Sequence, residues 1–141
     1  MTRMILTVCA SALFALGLAT AQGAEKNPVD PAKLPPASAK TGVTYAADIK
    51  PILDKSCTRC HGAERPKGRL RLDSLAAAIK GGESGKSVLP GNSAGSILVH
   101  NVAHAGHPDG YMPPPHNKAG IPPLTQEQIG LIRAWIDQGA K

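Results

Sequence analysis

The chain of 141 residues is long enough for one domain; 42% of it is hydrophobic, yet only 3% is aromatic. Aromatic side chains bury the most area of any residues, so a core with so few of them is thin for this length. The net charge is +6 at pH 7, but scattered basic residues without aromatic stacking platforms argue against a nucleic-acid-binding protein. A modestly basic protein instead favours partners with acidic surfaces.

Residues 1–21 have the pattern of an export signal. Arg3 supplies the positive start, residues 4–19 form an apolar run, and Ala19 and Ala21 make a small-x-small cleavage site. The run is shorter than the roughly 20 residues that span a membrane, so cleavage after Ala21 is favoured over retention as an anchor. We therefore predict a periplasmic protein with no stable membrane span after cleavage.

Residues 22–43 have the composition of a linker. Four prolines lie among Lys, Ala and Ser between Glu25 and Gly42. This composition favours a stiff, mostly extended segment with little fixed structure. We expect the folded domain to cover residues 44–141.

The first predicted helix leads directly into a cysteine motif. Asp48 is a good N-cap residue, and Pro51 then falls in the first turn, where its missing N–H costs nothing. The apolar positions that share one helix face are Ile49, Ile52 and Leu53. The same face continues to Cys57, so the packing face of this helix runs into the motif.

Residues 57–61 read Cys-Thr-Arg-Cys-His, the C-x-x-C-H attachment signature of c-type haem. On one helical turn, Cys57 and Cys60 can reach the two vinyl groups of one porphyrin, while His61 turns its imidazole towards the iron. A thioredoxin-like pair expects a βαβ context, and structural zinc expects a second close pair of ligands; neither pattern is present. One covalently attached haem is therefore favoured, and it would also enlarge the thin core.

Two short helices are predicted after the motif. Asp73 or Ser74 can cap a helix over residues 75–80, which Gly81 then ends. A further helix is predicted over about residues 93–103. Basic residues in or near this region are candidates to face haem propionates or a partner, with plain solvated charge as the alternative: Arg69, Arg71 and Lys86.

The last helix has the clearest boundaries. Thr125 and Gln128 have the spacing of a capping box, and Gly139 is placed to stop the helix. A broad apolar stripe between them indicates a core helix. The chain is therefore predicted to be all-α, with about four helices wrapped round one haem.

Met112 is the candidate for the sixth iron ligand. It is the only methionine after residue 21, and the prolines at 113–115 would hold it in one place. A methionine ligand raises the potential relative to two histidines and closes the site to other ligands. His116, four residues further along, is the main rival, and an ordinary gap-filling role for Met112 is the alternative.

Several segments together point to one family: residues 48–53, 57–62, 67–74, 80–82, 90–91, 96–98, 112–114 and 124–140. In these segments the chain resembles the class I cytochrome c superfamily and, more narrowly, the planctomycete-type cytochrome c domain. The resemblance implies thioether bonds at Cys57 and Cys60, with His61 proximal and Met112 distal to the iron. It also implies a carbonyl group, here that of Pro90, that orients the proximal imidazole.

Together, the export signal, the haem motif and the resemblance favour an exported mono-haem cytochrome that carries single electrons and is not an enzyme. Its partners would be a redox donor and acceptor that dock briefly, with charge steering, on acidic surfaces. Two alternatives stay open: a cytochrome subunit that accepts electrons from an exported dehydrogenase, and a haem sensor or peroxidase-like protein with a labile distal site. Residues 115–123, which carry His116, are longer than the usual connection in this family.

Overall fold

The computed structural model describes residues 29–141, so the predicted signal and the start of the predicted linker lie outside the described residues. Within residues 29–141 the regular structure is helical, apart from one isolated bridge between Gly82 and Gly85. The α-helices are α1 (Lys50–Ser56), α2 (Thr58–His61), α3 (Leu75–Lys80), α4 (Ile97–Val102) and α5 (Gln126–Asp137). Short 3₁₀ helices cover Pro31–Lys33, Lys67–Arg69 and Pro108–Gly110. The all-α class is confirmed.

The predicted start of the first helix at Asp48 is wrong. Thr44 is the N-cap instead, since its Oγ1 accepts a hydrogen bond from the Ala47 N–H (3.3 Å). The chain then forms a π-helical turn over Tyr45–Ile49 and continues as α1. Asp48 has a different role, because its carboxylate accepts a hydrogen bond from the Thr44 N–H (2.9 Å) and pairs with Lys40.

The helices α3 and α5 have the predicted boundaries. Ser74 caps α3 by accepting a hydrogen bond from the Ala77 N–H (3.4 Å), and Gly81 ends it with a φ of +83°. The capping box of α5 is formed in both directions, from Gln128 N–H to Thr125 Oγ1 (3.2 Å) and from Thr125 N–H to Gln128 Oε1 (2.9 Å). Local capping signals therefore determine both helices.

The helix α4 begins later than the predicted range of 93–103. Residues 93–96 form turns instead, because Ser96 Oγ donates to the Asn92 carbonyl (2.8 Å) and accepts from the Leu89 N–H (2.9 Å). The buried side chains of α4 are Leu98, Val99 and Val102. They complete the core against α5.

The core lies where α5 packs on α4 and on the turn Tyr45–Ile49. The buried apolar side chains of α5 include Ile129, Ile132, Trp135 and Ile136. Trp135 packs on Tyr45, with ring centroids 5.9 Å apart. Trp135 Nε1 and the Tyr45 N–H both donate to the Lys141 carbonyl oxygen, at 3.0 and 2.8 Å. The last helix therefore packs against the start of the first helical segment.

Residues 29–43, called the strap below, lie along α5. Leu34 is 6% exposed, the Ser38 N–H donates to the Gly130 carbonyl (2.9 Å), and Arg133 donates to the Pro35 carbonyl. At Gly130 a Cβ atom would lie only 2.7 Å from the Pro36 carbonyl oxygen. The expectation of little fixed structure is therefore wrong for residues 29–42, because their polar groups bond to α5.

No helix within residues 29–141 combines the length and the apolar character that crossing a bilayer requires.

Candidate functional site

Cys57 lies at the junction of α1 and α2, where the C-x-x-C-H motif begins. Its N–H donates to the Leu53 carbonyl (2.7 Å), and its own carbonyl accepts from the N–H groups of Cys60 (3.0 Å) and His61 (2.9 Å). These bonds fold residues 57–61 into one helical turn. The two sulfur atoms and the imidazole consequently line one side of the same cleft.

The two motif cysteines are free thiols with different surroundings. Cys57 is 8% exposed, whereas Cys60 is half-buried. Burial, with a smaller contribution from the charge of Cys60, raises the pKa of the Cys57 thiol to about 11. In the chain without a haem, the Cys57 thiol is therefore protonated at neutral pH.

The backbone after the motif orients the imidazole of His61. Its Nδ1 lies 3.1 Å from the Leu70 carbonyl oxygen, and its own carbonyl accepts a hydrogen bond from the Leu72 N–H (2.8 Å). A carbonyl oxygen only accepts, so Nδ1 carries the proton and Nε2 keeps a free lone pair. The chain leaves the motif at Gly62, where a Cβ atom would lie 2.5 Å from the Thr58 carbonyl oxygen.

Pro90, the expected partner of the imidazole, lies elsewhere. It is exposed and is not among the residues that line the cleft. The turn that contains it is tied to α5, because the Gly91 N–H donates to the Ile136 carbonyl (2.7 Å). The hydrogen bond to His61 Nδ1 is made by Leu70 and not by Pro90.

A cleft of about 470 Å³ opens beside the motif. Its lining residues come from two stretches of the chain. The first supplies Ser56, Cys57, Arg59, Cys60, His61 and Lys67, and the second supplies residues between Met112 and Ile121. The predicted site residues in this cleft are Cys57, Cys60, His61 and Met112, together with the rival ligand His116. Its volume falls within the roughly 300–1,000 Å³ that small-molecule and cofactor sites occupy.

The second of these stretches is anchored to α4 next to Met112. The Met112 N–H donates to the Asn101 carbonyl oxygen (3.0 Å), and Tyr111 stacks on His104 with parallel rings and centroids 4.5 Å apart. At Gly110 a Cβ atom would lie 2.8 Å from Asn101 Oδ1, so this turn also sits close against α4. Met112 is half-buried and lines the cleft, and its backbone is held at its own N–H and at the residues that precede it.

The charged residues that line the cleft are all basic. Arg59, Lys67 and Lys118 are exposed at it, and no Asp or Glu of residues 29–141 is among the lining residues. Sequence reasoning missed these three, although Arg59 lies inside the C-x-x-C-H motif itself. The cleft is therefore a region of positive potential.

The basic residues that the sequence put forward lie outside the cleft. Arg69, Arg71 and Lys86 are not among its lining residues. Arg71 instead forms a two-bond ion pair with Asp73, with Nε–Oδ1 and Nη2–Oδ2 distances of 2.9 and 2.7 Å. A haem propionate or a partner protein at the cleft would instead contact Arg59, Lys67 and Lys118.

The residues of the cleft fit a c-type haem by the chemistry of their donor atoms. Cys57 and Cys60 supply two thiols on one helical turn, and His61 supplies an imidazole whose Nδ1 is already bonded. Met112 supplies a thioether to the same cleft, together with apolar lining residues such as Pro113 and Ile121. This donor set is the one that covalent haem attachment and axial ligation require.

Comparison with known families finds a match for a segment that contributes most of the residues lining this cleft. Residues 57–116 match a family model described as Planctomycete cytochrome C. The matched segment begins at the first cysteine of the motif and ends at His116, so it includes Met112. Comparisons with curated proteins and with solved structures give no match.

Proposed function

Since the chain carries a planctomycete-type cytochrome c domain, we propose that it is an exported mono-haem electron carrier. In this proposal Cys57 and Cys60 form the thioether bonds, and His61 and Met112 are the axial ligands. The observation that carries the proposal is the single cleft that holds all four side chains. A cytochrome c domain of this family indicates a haem-binding protein that transfers electrons.

The protein supplies position, orientation and shielding. Haem, when bound, supplies a one-electron couple at its iron. Leu70 holds the His61 ring in one tautomer through its carbonyl oxygen, which keeps Nε2 available as a ligand. The Asn101 carbonyl holds the backbone of Met112, so the thioether keeps its place when the charge at the site changes.

Ligation from both sides favours a carrier over an enzyme. With His61 and Met112 both bound, no axial position stays open for a substrate or for oxygen. A haem sensor or peroxidase-like protein would need one open position. In the carrier, rapid carbon monoxide binding by the reduced protein is therefore not expected, whereas in the sensor it is.

The positive cleft supports an acidic redox partner. Arg59, Lys67 and Lys118 line the cleft that would hold the haem, and all three are exposed. Brief, charge-steered docking there suits a carrier with separate donor and acceptor proteins. A subunit of an exported dehydrogenase would instead stay bound, and gel filtration of the native complex distinguishes the two.

The axial ligation is tested by absorption spectra of protein made in a host that attaches haem in its periplasm. The wild type is expected to be low-spin, with the weak sulfur-to-iron charge-transfer band. Met112→Ala should lose this band, and His116→Ala, the matched control on the same loop, should keep it. A band that survives in Met112→Ala would refute Met112 as the ligand.

Export is tested in the same cells. The mature protein should be released with the periplasmic fraction, and its amino terminus should begin at Gln22. Protein that stays with the membrane and keeps residues 1–21 would overturn the proposed cleavage and leave the segment as an anchor.

A further inference from the structure

Asn117 ties together the loop that follows Met112. Its Nδ2 donates to the carbonyl oxygens of Pro114 (2.9 Å) and Ile121 (2.8 Å), and its Oδ1 accepts from the Ile121 N–H (2.9 Å). Two backbone bonds reinforce this closure, from Asn117 N–H to the Pro114 carbonyl and from the Gly120 N–H to the Asn117 carbonyl, both 3.1 Å. One side chain therefore closes residues 114–121, called the distal loop below, into a ring.

The distal loop brings a second side chain of a type that can bind iron to the cleft. His116 lines the same cleft as Met112, but it is exposed, whereas Met112 is half-buried. The two residues are four positions apart, and a chain extends up to about 3.3–3.6 Å per residue. His116 is therefore within reach of the place that Met112 occupies if the loop backbone is free to move.

The chemistry of its side chain does not exclude His116 as the sixth iron ligand. Imidazole nitrogen and thioether sulfur both ligate haem iron, and the choice between them changes the potential. Pro115 precedes His116 and Asn117 follows it, so the backbone of His116 lies between a residue of fixed φ and the residue whose side chain bonds to Pro114 and Ile121. The position of His116 thus depends on the hydrogen bonds of Asn117.

We propose that Asn117 is a positioning residue that selects Met112 over His116 as the sixth ligand. It acts by holding the distal loop closed, with His116 at the exposed edge of the cleft. The inference rests on the proposed function, since it assumes a haem attached at residues 57–61.

The test compares Asn117→Ala with Asn92→Ala in haem-loaded protein. Asn92 is a matched control, because its Oδ1 also caps a turn, accepting from the Gly95 N–H (2.8 Å), but it does not line the cleft. Loss of the three side-chain bonds should raise the ratio of His116-ligated to Met112-ligated iron at least about tenfold. The sulfur-to-iron band should fall and the reduction potential should drop in Asn117→Ala, and both should be unchanged in Asn92→Ala.

The double variant Asn117→Ala, His116→Ala identifies the replacing ligand. With His116 absent, the band should return, because the Asn101 carbonyl still holds the backbone of Met112. Asn117→Asp is a second variant, in which a carboxylate faces two carbonyl oxygens, and it should change the band in the same direction. An Asn117→Ala spectrum equal to the wild type, or a double variant that does not recover the band, would overturn the inference.

Failure of the inference and failure of the proposed function give different results. A wild-type protein without the sulfur-to-iron band contradicts Met112 ligation before any Asn117 variant is compared. A wild-type protein with the band, together with unchanged Asn117 variants, contradicts only the role of Asn117.

Discussion

For Gly130→Ala, helix propensity predicts a more stable protein, whereas the structure predicts a less stable one. Alanine in the middle of α5 should stabilise the helix by about 1 kcal/mol relative to glycine. The structure places the added Cβ 2.7 Å from the Pro36 carbonyl oxygen, which is a backbone atom and not the flexible end of a side chain. We therefore expect the strap to move off α5 in the variant.

The loss of stability in Gly130→Ala follows from the contacts that the strap loses when it leaves α5. The bonds from the Ser38 N–H to Gly130 and from Arg133 to Pro35 contribute about 1 kcal/mol each. Exposing the buried Leu34 side chain costs about 2 kcal/mol more. After the propensity gain of alanine is deducted, the net destabilisation is about 3 kcal/mol.

Urea unfolding followed by circular dichroism measures this change, and Leu34→Ala provides the control. Alone, Leu34→Ala should cost about 2 kcal/mol, but in the Gly130→Ala background it should cost close to zero, because the strap has already left. A Gly130→Ala variant that is more stable than the wild type would refute the packing of the strap on α5.

Two further substitutions test the core and the motif. Tyr45→Phe removes the hydrogen bond from Tyr45 Oη to the Leu72 carbonyl (2.9 Å) and should cost about 1 kcal/mol at pH 7. Burial, aided by two nearby carboxylates, raises the pKa of Tyr45 from 10.0 to about 12, so its stabilisation is complete below about pH 10 and is lost as the pH rises towards 12. The urea midpoint of Tyr45→Phe should therefore fall less than that of the wild type over this range; parallel curves would contradict the burial. Gly62→Ala places a Cβ 2.5 Å from the Thr58 carbonyl oxygen and should lower the yield of haem-loaded protein severalfold, whereas Gly106→Ala, with its nearest neighbour at 3.7 Å, should not. Equal yields would show that the motif tolerates a side chain there.

The sequence predicted those helices whose caps are local. In α3 and α5 the capping side chain and the N–H that it binds are three residues apart, as for Ser74 with Ala77 and Thr125 with Gln128. Both partners are therefore visible in one short stretch of sequence. The start of the first helix differs from the prediction because Thr44 and Asp48, four positions apart, are both suitable caps. Only the structure shows which N–H group each of them binds.

The strap could not be predicted from its own composition. A segment rich in proline has the composition of a linker. Its bonding partners lie on α5 and at the C-cap of that helix, as for Arg133 with Pro35 and Gln138 with Val43. The sequence of α5 did contain one signal of this contact. Gly130 interrupts an otherwise strong helical pattern at a cost of about 1 kcal/mol relative to alanine, which indicates a packing reason for the glycine.

In the candidate site, too, some residues could be predicted from the sequence and others could not. Cys57, Cys60 and His61 are recognisable because the motif needs those side chains at that spacing. The Leu70 carbonyl was missed because every residue has a carbonyl group, so the identity of the residue carries no signal. Asn117 was missed because its hydrogen-bond partners are backbone carbonyl groups, which only the folded structure reveals.

The measurement closest to the central claim is the mass of the mature protein under denaturing conditions, after production in a host that attaches haem. The account predicts that the polypeptide keeps exactly one haem after unfolding, bonded through Cys57 and Cys60, and that the Cys57→Ala, Cys60→Ala double variant keeps none. Wild-type polypeptide that separates from haem on unfolding and has two free thiols would contradict the account.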